Sequence, residues 1–145
     1  MREKGRNIKS TMILAAASTA GAEAVLTSAA EMLAGFESGK LIVATKASLA
    51  SGETLKQTVT LQHSPDNSTW TSVVVADEVV VGTGASGGSA NVYLTPIEFD
   101  FNRNALGLYI RSLVSPTFSA SGTDTGIITA TLLGGGHVEN PVTRG

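Results

Sequence analysis

Two histidines are the first residues to weigh, because imidazole anchors much general-acid, general-base and metal chemistry near neutral pH. His63 closes a stretch of alternating residues, and His137 follows Gly134-Gly135-Gly136. Neither has a second ligand type at metal-binding spacing, so both read as a turn residue and a tail residue. Of the twelve carboxylates, Asp77 and Glu78 are consecutive and point to opposite faces on a strand. Glu98 and Asp100 share a face, but they alternate with Ile97, Phe99 and Phe101 as an ordinary solvent face does; nothing favours a glycosidase pair. Gly84-Ala85-Ser86-Gly87-Gly88 approaches a nucleophile elbow by letters alone, since no helix follows. The same glycine run lacks the lysine of a phosphate loop. Asp66-Asn67-Ser68 offers hard oxygens without the spacing of a calcium loop. The expectation is a chain that is not an enzyme, with no catalytic, cofactor-binding or metal-binding residues and no small-molecule substrate.

Binding chemistry has better candidates. Trp70, just after a turn, is expected to cap the core, because indole area is costly to leave wet; the alternative is an exposed platform for a sugar or a base. Arg2, Lys4, Arg6 and Lys9, offset only by Glu3, precede Met12-Ile13-Leu14. Arg2, Lys4, Arg6, Lys9, Ile13 and Leu14 are therefore the candidate protein-interaction residues, a weak steering charge next to a small apolar patch. The order resembles a secretory signal peptide. Its strongly apolar part is very short, however, and Ser18, Thr19 and Glu23 interrupt it. No apolar run is long enough to span a membrane.

These residues sit in a chain of 145 residues and 14.8 kDa, enough for one domain with a real core. Net charge is -2, without the basic footprint of a nucleic-acid binder. Charged residues make up 15%, against roughly 25% in typical soluble domains. A surface poor in charge and rich in Gly, Ser, Thr and Ala is cheap to desolvate and suits packing against neighbours. There is no cysteine, so the core holds without disulfides.

The patterning is that of strands. Residues 1–22 lack apolar periodicity and read as an arm that becomes ordered by lying on its own domain or on a neighbouring subunit. Residues 24–33 fit a strand or a short helix equally. Residues 40–49 and 54–63 are strands; in the second, Leu55, Gln57, Val59, Leu61 and His63 oppose Thr54, Lys56, Thr58, Thr60 and Gln62. Ser64-Pro65-Asp66-Asn67-Ser68 turns. Short strands follow at 70–75, 78–81, 91–95, 97–101 and 106–114, with a flexible loop at 82–89. A long polar connection covers 116–125, and a last strand covers 127–133. The organisation is an N-terminal arm (1–22), a sandwich domain (23–136) and a C-terminal tail (137–145). The fold class is all-β, an antiparallel β-sandwich or jelly roll with an extended N-terminal arm.

Thr60-Leu61-Gln62-His63-Ser64-Pro65-Asp66-Asn67-Ser68-Thr69-Trp70-Thr71, then Leu108-Tyr109-Ile110-Arg111, then Gly126-Ile127-Ile128-Thr129-Ala130-Thr131-Leu132-Leu133 form an ordered series. It resembles that of the capsid cement (decoration) proteins of tailed bacteriophages, over about residues 40–133. The resemblance implies a virion structural protein on the outer surface of the phage head, made in the host cytoplasm. Its partners would be the major capsid protein and two further copies of itself in a homotrimer, with no nucleic acid and no membrane. Trimeric attachment would turn weak contacts into high avidity. The other reading is a β-sandwich binding module for carbohydrate or a cell surface, or a phage tail or fibre component, with Trp70 or Tyr93 exposed beside polar side chains.

Overall fold

The computed structural model describes residues 8–120 and 122–135. Among the described residues ten strands run in chain order: β1 (Lys9–Thr19), β2 (Leu26–Thr27), β3 (Glu31–Met32), β4 (Ser38–Leu49), β5 (Thr54–Ser64), β6 (Thr71–Thr83), β7 (Ser89–Tyr93), β8 (Ile97–Asn102), β9 (Tyr109–Phe118) and β10 (Thr125–Gly135). A 3-10 turn, Arg103–Ala105, links β8 to β9. Sheet A orders β1-β10-β4-β7, with β8 also on β4; sheet B orders β2-β9-β5-β6, with β3 also on β9.

The pairing is nested. β5 pairs with β6, β4 with β7 and β8, β2 and β3 with β9, and β1 with β10, all antiparallel. The chain is thus one long hairpin, first element against last, rolled into two sheets. That is a jelly roll, and it resolves the sandwich expected from the strand pattern.

Alternation builds the core. Leu41, Val43, Ala47 and Leu49 of β4, Leu55, Val59 and Leu61 of β5, Ile110, Val114 and Phe118 of β9, and Ile128, Ala130 and Leu132 of β10 all face inward and are buried. They form two clusters, the larger around Val43, Leu61 and Ile128 and the smaller around Leu49, Leu55 and Phe118. Between them in sequence, Thr45 and Gln57 also face inward. The Gln57 amide Nε2 donates to the Thr45 hydroxyl at 2.7 Å, a buried bond from sheet B to sheet A. Such a polar pair is tolerated in a core because each group meets the other. Gly39 and Gly134 face each other across β4 and β10. A Cβ on Gly39 would strike the Phe101 ring, and one on Gly134 the Phe36 ring. Two aromatic rings therefore lie on bare backbone, and Gly134 and Gly135 carry β10 past the expected strand end at 133.

Two other expectations need correction, and two open points are settled by the strands. Residues 24–33 form the two short strands β2 and β3. The strands expected at 70–75 and 78–81 are one, β6, because a bulge absorbs the break: Glu78 takes a φ of 46° and its N–H donates to the Thr58 hydroxyl at 3.2 Å. β9 runs through Pro116 to Phe118. The N–H of Phe118, two residues on and on the same edge, donates to a Glu23 carboxylate oxygen, not to a strand. β2 reaches only as far as Val114, so the missing donor of Pro116 falls on an edge with no ladder.

The arm is the second of the open points, and its described part lies on its own domain as β1, an edge strand of sheet A. Register slips between Met12 and Leu14, so Ile13 and Leu14 both turn into the core although they are consecutive. That bulge breaks the period-two signal, which is why the segment reads as irregular. Ile13 is 6% exposed. Ile13→Ala is expected to destabilise the domain by about 2–5 kcal/mol in urea denaturation. A change below about 0.5 kcal/mol, as for a loose arm, would contradict the strand assignment.

Candidate interaction surface

Of the residues expected to bind a partner, Arg2, Lys4 and Arg6 lie outside the described residues. Lys9 lies on β1, where its Nζ contacts the Glu31 carboxylate at 2.6 Å and stands 5.8 Å from the centre of the Phe36 ring. Ile13 and Leu14 pack in the core. The described part of the candidate set is therefore engaged within the chain, and the surface that remains free lies elsewhere.

Its position follows from register. Outward-facing residues of sheet A line up across strands: Met12 beside Thr131 and Ile42; Ala15 beside Thr129 and Ala44; Ala17 beside Ile127, Lys46 and Tyr93. Met12 is 63% exposed, Ile127 54% and Tyr93 81%. The Lys46 ammonium sits 5.6 Å from the centre of the Tyr93 ring, so the one charge in this middle region is partly masked by a cation–π contact. Ala44, Lys46, Tyr93, Ile127 and Thr129 border an indentation of about 190 Å³. The remaining charges on this face stand at its β8 margin, where Lys40 contacts Glu98 at 2.9 Å and Asp100 at 3.6 Å. Small and apolar side chains on a flat sheet desolvate cheaply, and one protruding aromatic ring beside a shallow pocket is the usual anatomy of a contact hot spot. Sheet B differs: Thr54, Lys56, Thr58, Thr60 and Gln62 give it a polar outer face.

Several of the residues screened for chemistry make contacts within the chain. Glu98 and Asp100 share Lys40 on the open sheet. His63 Nδ1 accepts the Gly107 N–H at 3.1 Å. Among the described residues no three His, Cys, Asp or Glu side chains gather as a metal site would require, and His137 lies outside them. Asp66 organises its turn: its Oδ1 accepts the N–H groups of Thr69 at 2.8 Å and Ser68 at 2.9 Å, and the Ser64 hydroxyl. Trp70 departs from expectation, since it belongs to neither core cluster. It is half-buried on sheet B, with the Arg111 guanidinium 4.1 Å from its ring centre. Arg111 Nε also donates to Gln62 Oε1 at 2.7 Å, and Gln62 Nε2 to the Ser72 hydroxyl at 2.9 Å. A guanidinium lid protects the indole where apolar packing was expected to.

No protein-family model matches the sequence, and no curated protein sequence matches it. Solved structures do match. A chain of the infectious bursal disease virus Gx strain aligns over 92% of this chain and 33% of its own, at 12% identity and a TM-score of 0.55. The VP2 subviral particle of the same virus aligns over 89% of this chain and 33% of its own, at 11% identity and a TM-score of 0.51. This chain shares a jelly-roll fold with those viral chains. This chain spans about a third of the length of those chains, and identity at this level speaks for the fold alone. The SPBc2 prophage-derived protein YomS aligns over 88% of this chain and 93% of its own at 12% identity, with a TM-score of 0.37, too low for an inference.

Two outcomes are expected at the turn and at the indole. The Thr69 N–H above all, then the Ser68 N–H, holds the Asp66 carboxyl well below the usual carboxylate range. A depressed folded-state pKa contributes stability that is present above the unfolded value and is lost as pH falls through the folded one. The gap in melting temperature between the wild type and Asp66→Asn should therefore be constant near neutral pH and close below about pH 4; a gap independent of pH down to acid unfolding would refute the turn's dependence on the carboxylate. Arg111→Ala should red-shift the emission of the single tryptophan and cost about 0.5–1 kcal/mol. Unchanged emission would show that the guanidinium does not cover the ring.

Proposed function

We propose that this chain is a virion structural protein, and within that class a capsid cement protein that lies on the outside of a phage head and bridges major capsid protein subunits. The observation that carries the reading is the nested jelly roll, which aligns over 92% of the chain with a viral chain. The low charge of the sequence and the middle of sheet A's outer face, where Lys46 under Tyr93 is the one charge, support it. A protein that acts by adhesion needs such a face more than it needs a cleft. Homotrimeric attachment, which would multiply weak contacts into avidity, belongs to the same proposal, as do the absence of catalysis and of nucleic-acid, membrane and small-molecule partners. Residues 1–7, with Arg2, Lys4 and Arg6, are assigned here a steering role toward an acidic shell surface.

Electron microscopy of the native assembly is the direct test. Regular density on an icosahedral shell supports cement; density on a tail or fibre moves the chain to another part of the virion; isolated particles overturn the virion reading. Ile127→Glu puts a charge in the middle of the free face. It should leave the melting temperature within about 2 °C of wild type, as surface substitutions do, and should abolish co-sedimentation with shells. Retained co-sedimentation would exclude this face.

One observation favours a second reading. Tyr93, 81% exposed over Lys46, has the form of a sugar-binding platform. Glycan binding that Tyr93→Ala removes, in a chain that does not decorate shells, would establish the carbohydrate module instead.

A further inference from the structure

β6 is the outer strand of sheet B: β5 lies on one side of it, and no strand of the described residues lies on the other. Its last part is covered there. The Thr95 N–H, from the link between β7 and β8, donates to the Val81 carbonyl at 3.0 Å, and the Leu94 side chain lies where a Cβ on Gly82 would stand. From Thr71 to Ala76 the outer edge has no backbone partner among the described residues. Every second residue of such an edge turns an N–H and a C=O outward, and these groups are a template for another strand.

The side chains along this stretch fit such a pairing. Thr71-Ser72-Val73-Val74-Val75-Ala76 carries no charge, and its valines favour strand. Val74 is 61% exposed. A lysine or proline that would guard the edge is absent from it, and Asp77 and the bulge at Glu78 come only afterwards. Ser72 lies opposite Gln62 and Val74 opposite Thr60 on the outer face, so Thr71, Val73 and Val75 turn the other way. Beyond Val75 the register against β5 slips, with Ala76 opposite Val59. Regular alternation therefore covers Thr71–Val75, which keeps any pairing short.

The charges at the two ends say what the partner is. At the Thr71 end the Arg111 guanidinium lies 4.1 Å from the centre of the Trp70 ring, and among the described residues no carboxylate forms an ion pair with it. At the other end Asp77 and Glu78 are exposed and form no ion pair among the described residues either. An antiparallel strand of the same sequence brings its acidic end to the basic end of this one, and two-fold symmetry makes that match twice. With Val73 opposite its own copy, Ser72 meets Val74 and Thr71 meets Val75. Each then faces a residue of the same side of the sheet, and no like charges meet along the stretch.

We infer that the open edge of β6 is a two-fold interface with a second copy of this chain, antiparallel over Thr71–Val75 and centred on Val73, which joins two five-stranded sheets B into one. The contact is isologous. A threefold interface uses other surfaces, so on a shell this edge would link neighbouring trimers. The inference does not rest on the cement reading, because the contact belongs to the chain in solution.

The experiment is sedimentation equilibrium of the full chain at concentrations up to about 1 mM, since a short edge contact is weak. A reversible dimer is expected, or a hexamer where trimers also form. Val74→Lys puts an ammonium on the open edge. It should leave the melting temperature within about 2 °C of wild type, as surface substitutions do, and should remove the two-fold step, leaving monomer or trimer. Monomer or trimer for the wild type at every concentration overturns the inference, and so does a dimer that Val74→Lys leaves intact. Asp77→Lys with Glu78→Lys should weaken the dimer several-fold at low salt, and adding Arg111→Glu should restore it. A dimer indifferent to the double reversal overturns the antiparallel register; should the triple variant not fold, the double variant decides alone.

Discussion

Insertion of β10 between β1 and β4 is the constraint on which the rest of the structure depends. Eleven consecutive residue pairs join β10 to β4, and β1 takes the other edge. An interior strand has both edges of its backbone hydrogen-bonded, and an unmet buried N–H or C=O is expensive. The inward side chains of β10, Ile128, Ala130 and Leu132, then complete the layer that covers Val59, Leu61, Ile110 and Val114 of sheet B. The last strand must find the first across the whole chain, so the closing contacts are non-local and the roll is expected to form slowly. Once it is closed, β1 has no freedom to act as an arm.

The same closure divides the surface into unequal parts. Sheet A turns Ala, Thr and Ile outward because its neighbours across the strands are Ala, Thr and Ile, while β5 gives sheet B a polar front. A long edge strand such as β6, with Val74, Val79 and Val80 exposed, invites pairing with another chain. The bulge at Glu78 twists that edge and interrupts its ladder, which leaves the flat face of sheet A as the better adhesive. Single hydrogen bonds also tie distant elements of the roll together, among them Gln57 to Thr45 across the core, Gly107 to His63, and Ala50 to Asp124. Each joins elements that meet only after the sheets have stacked.

Much of the fold was legible in the residues. The alternation in β5 named its buried face, Gln57 included, and the Pro-Asp-Asn turn ended it in the right place. The all-β class followed from many short alternating runs between Gly, Pro and Asn. The candidate surface was less legible. Tyr93 was named only as one of two aromatics that a carbohydrate module would expose, and Met12, Ala17, Ile127 and Lys46 become one surface with it only through the register of β1, β10, β4 and β7. Ile13 and Leu14 look like a sticky patch in sequence, and a bulge turns both inward.

By itself, then, the sequence determined period, turn chemistry and charge, because these are properties of neighbouring residues: the class of fold, the main strands and the small number of groups able to do chemistry. Tertiary structure decided which strand lies beside which, whether Trp70 meets the core or Arg111, and where on the outward faces the small and apolar residues gather. Those outcomes depend on register and on the stacking of sheets between residues far apart in the chain, and no local pattern encodes the partner on the other side.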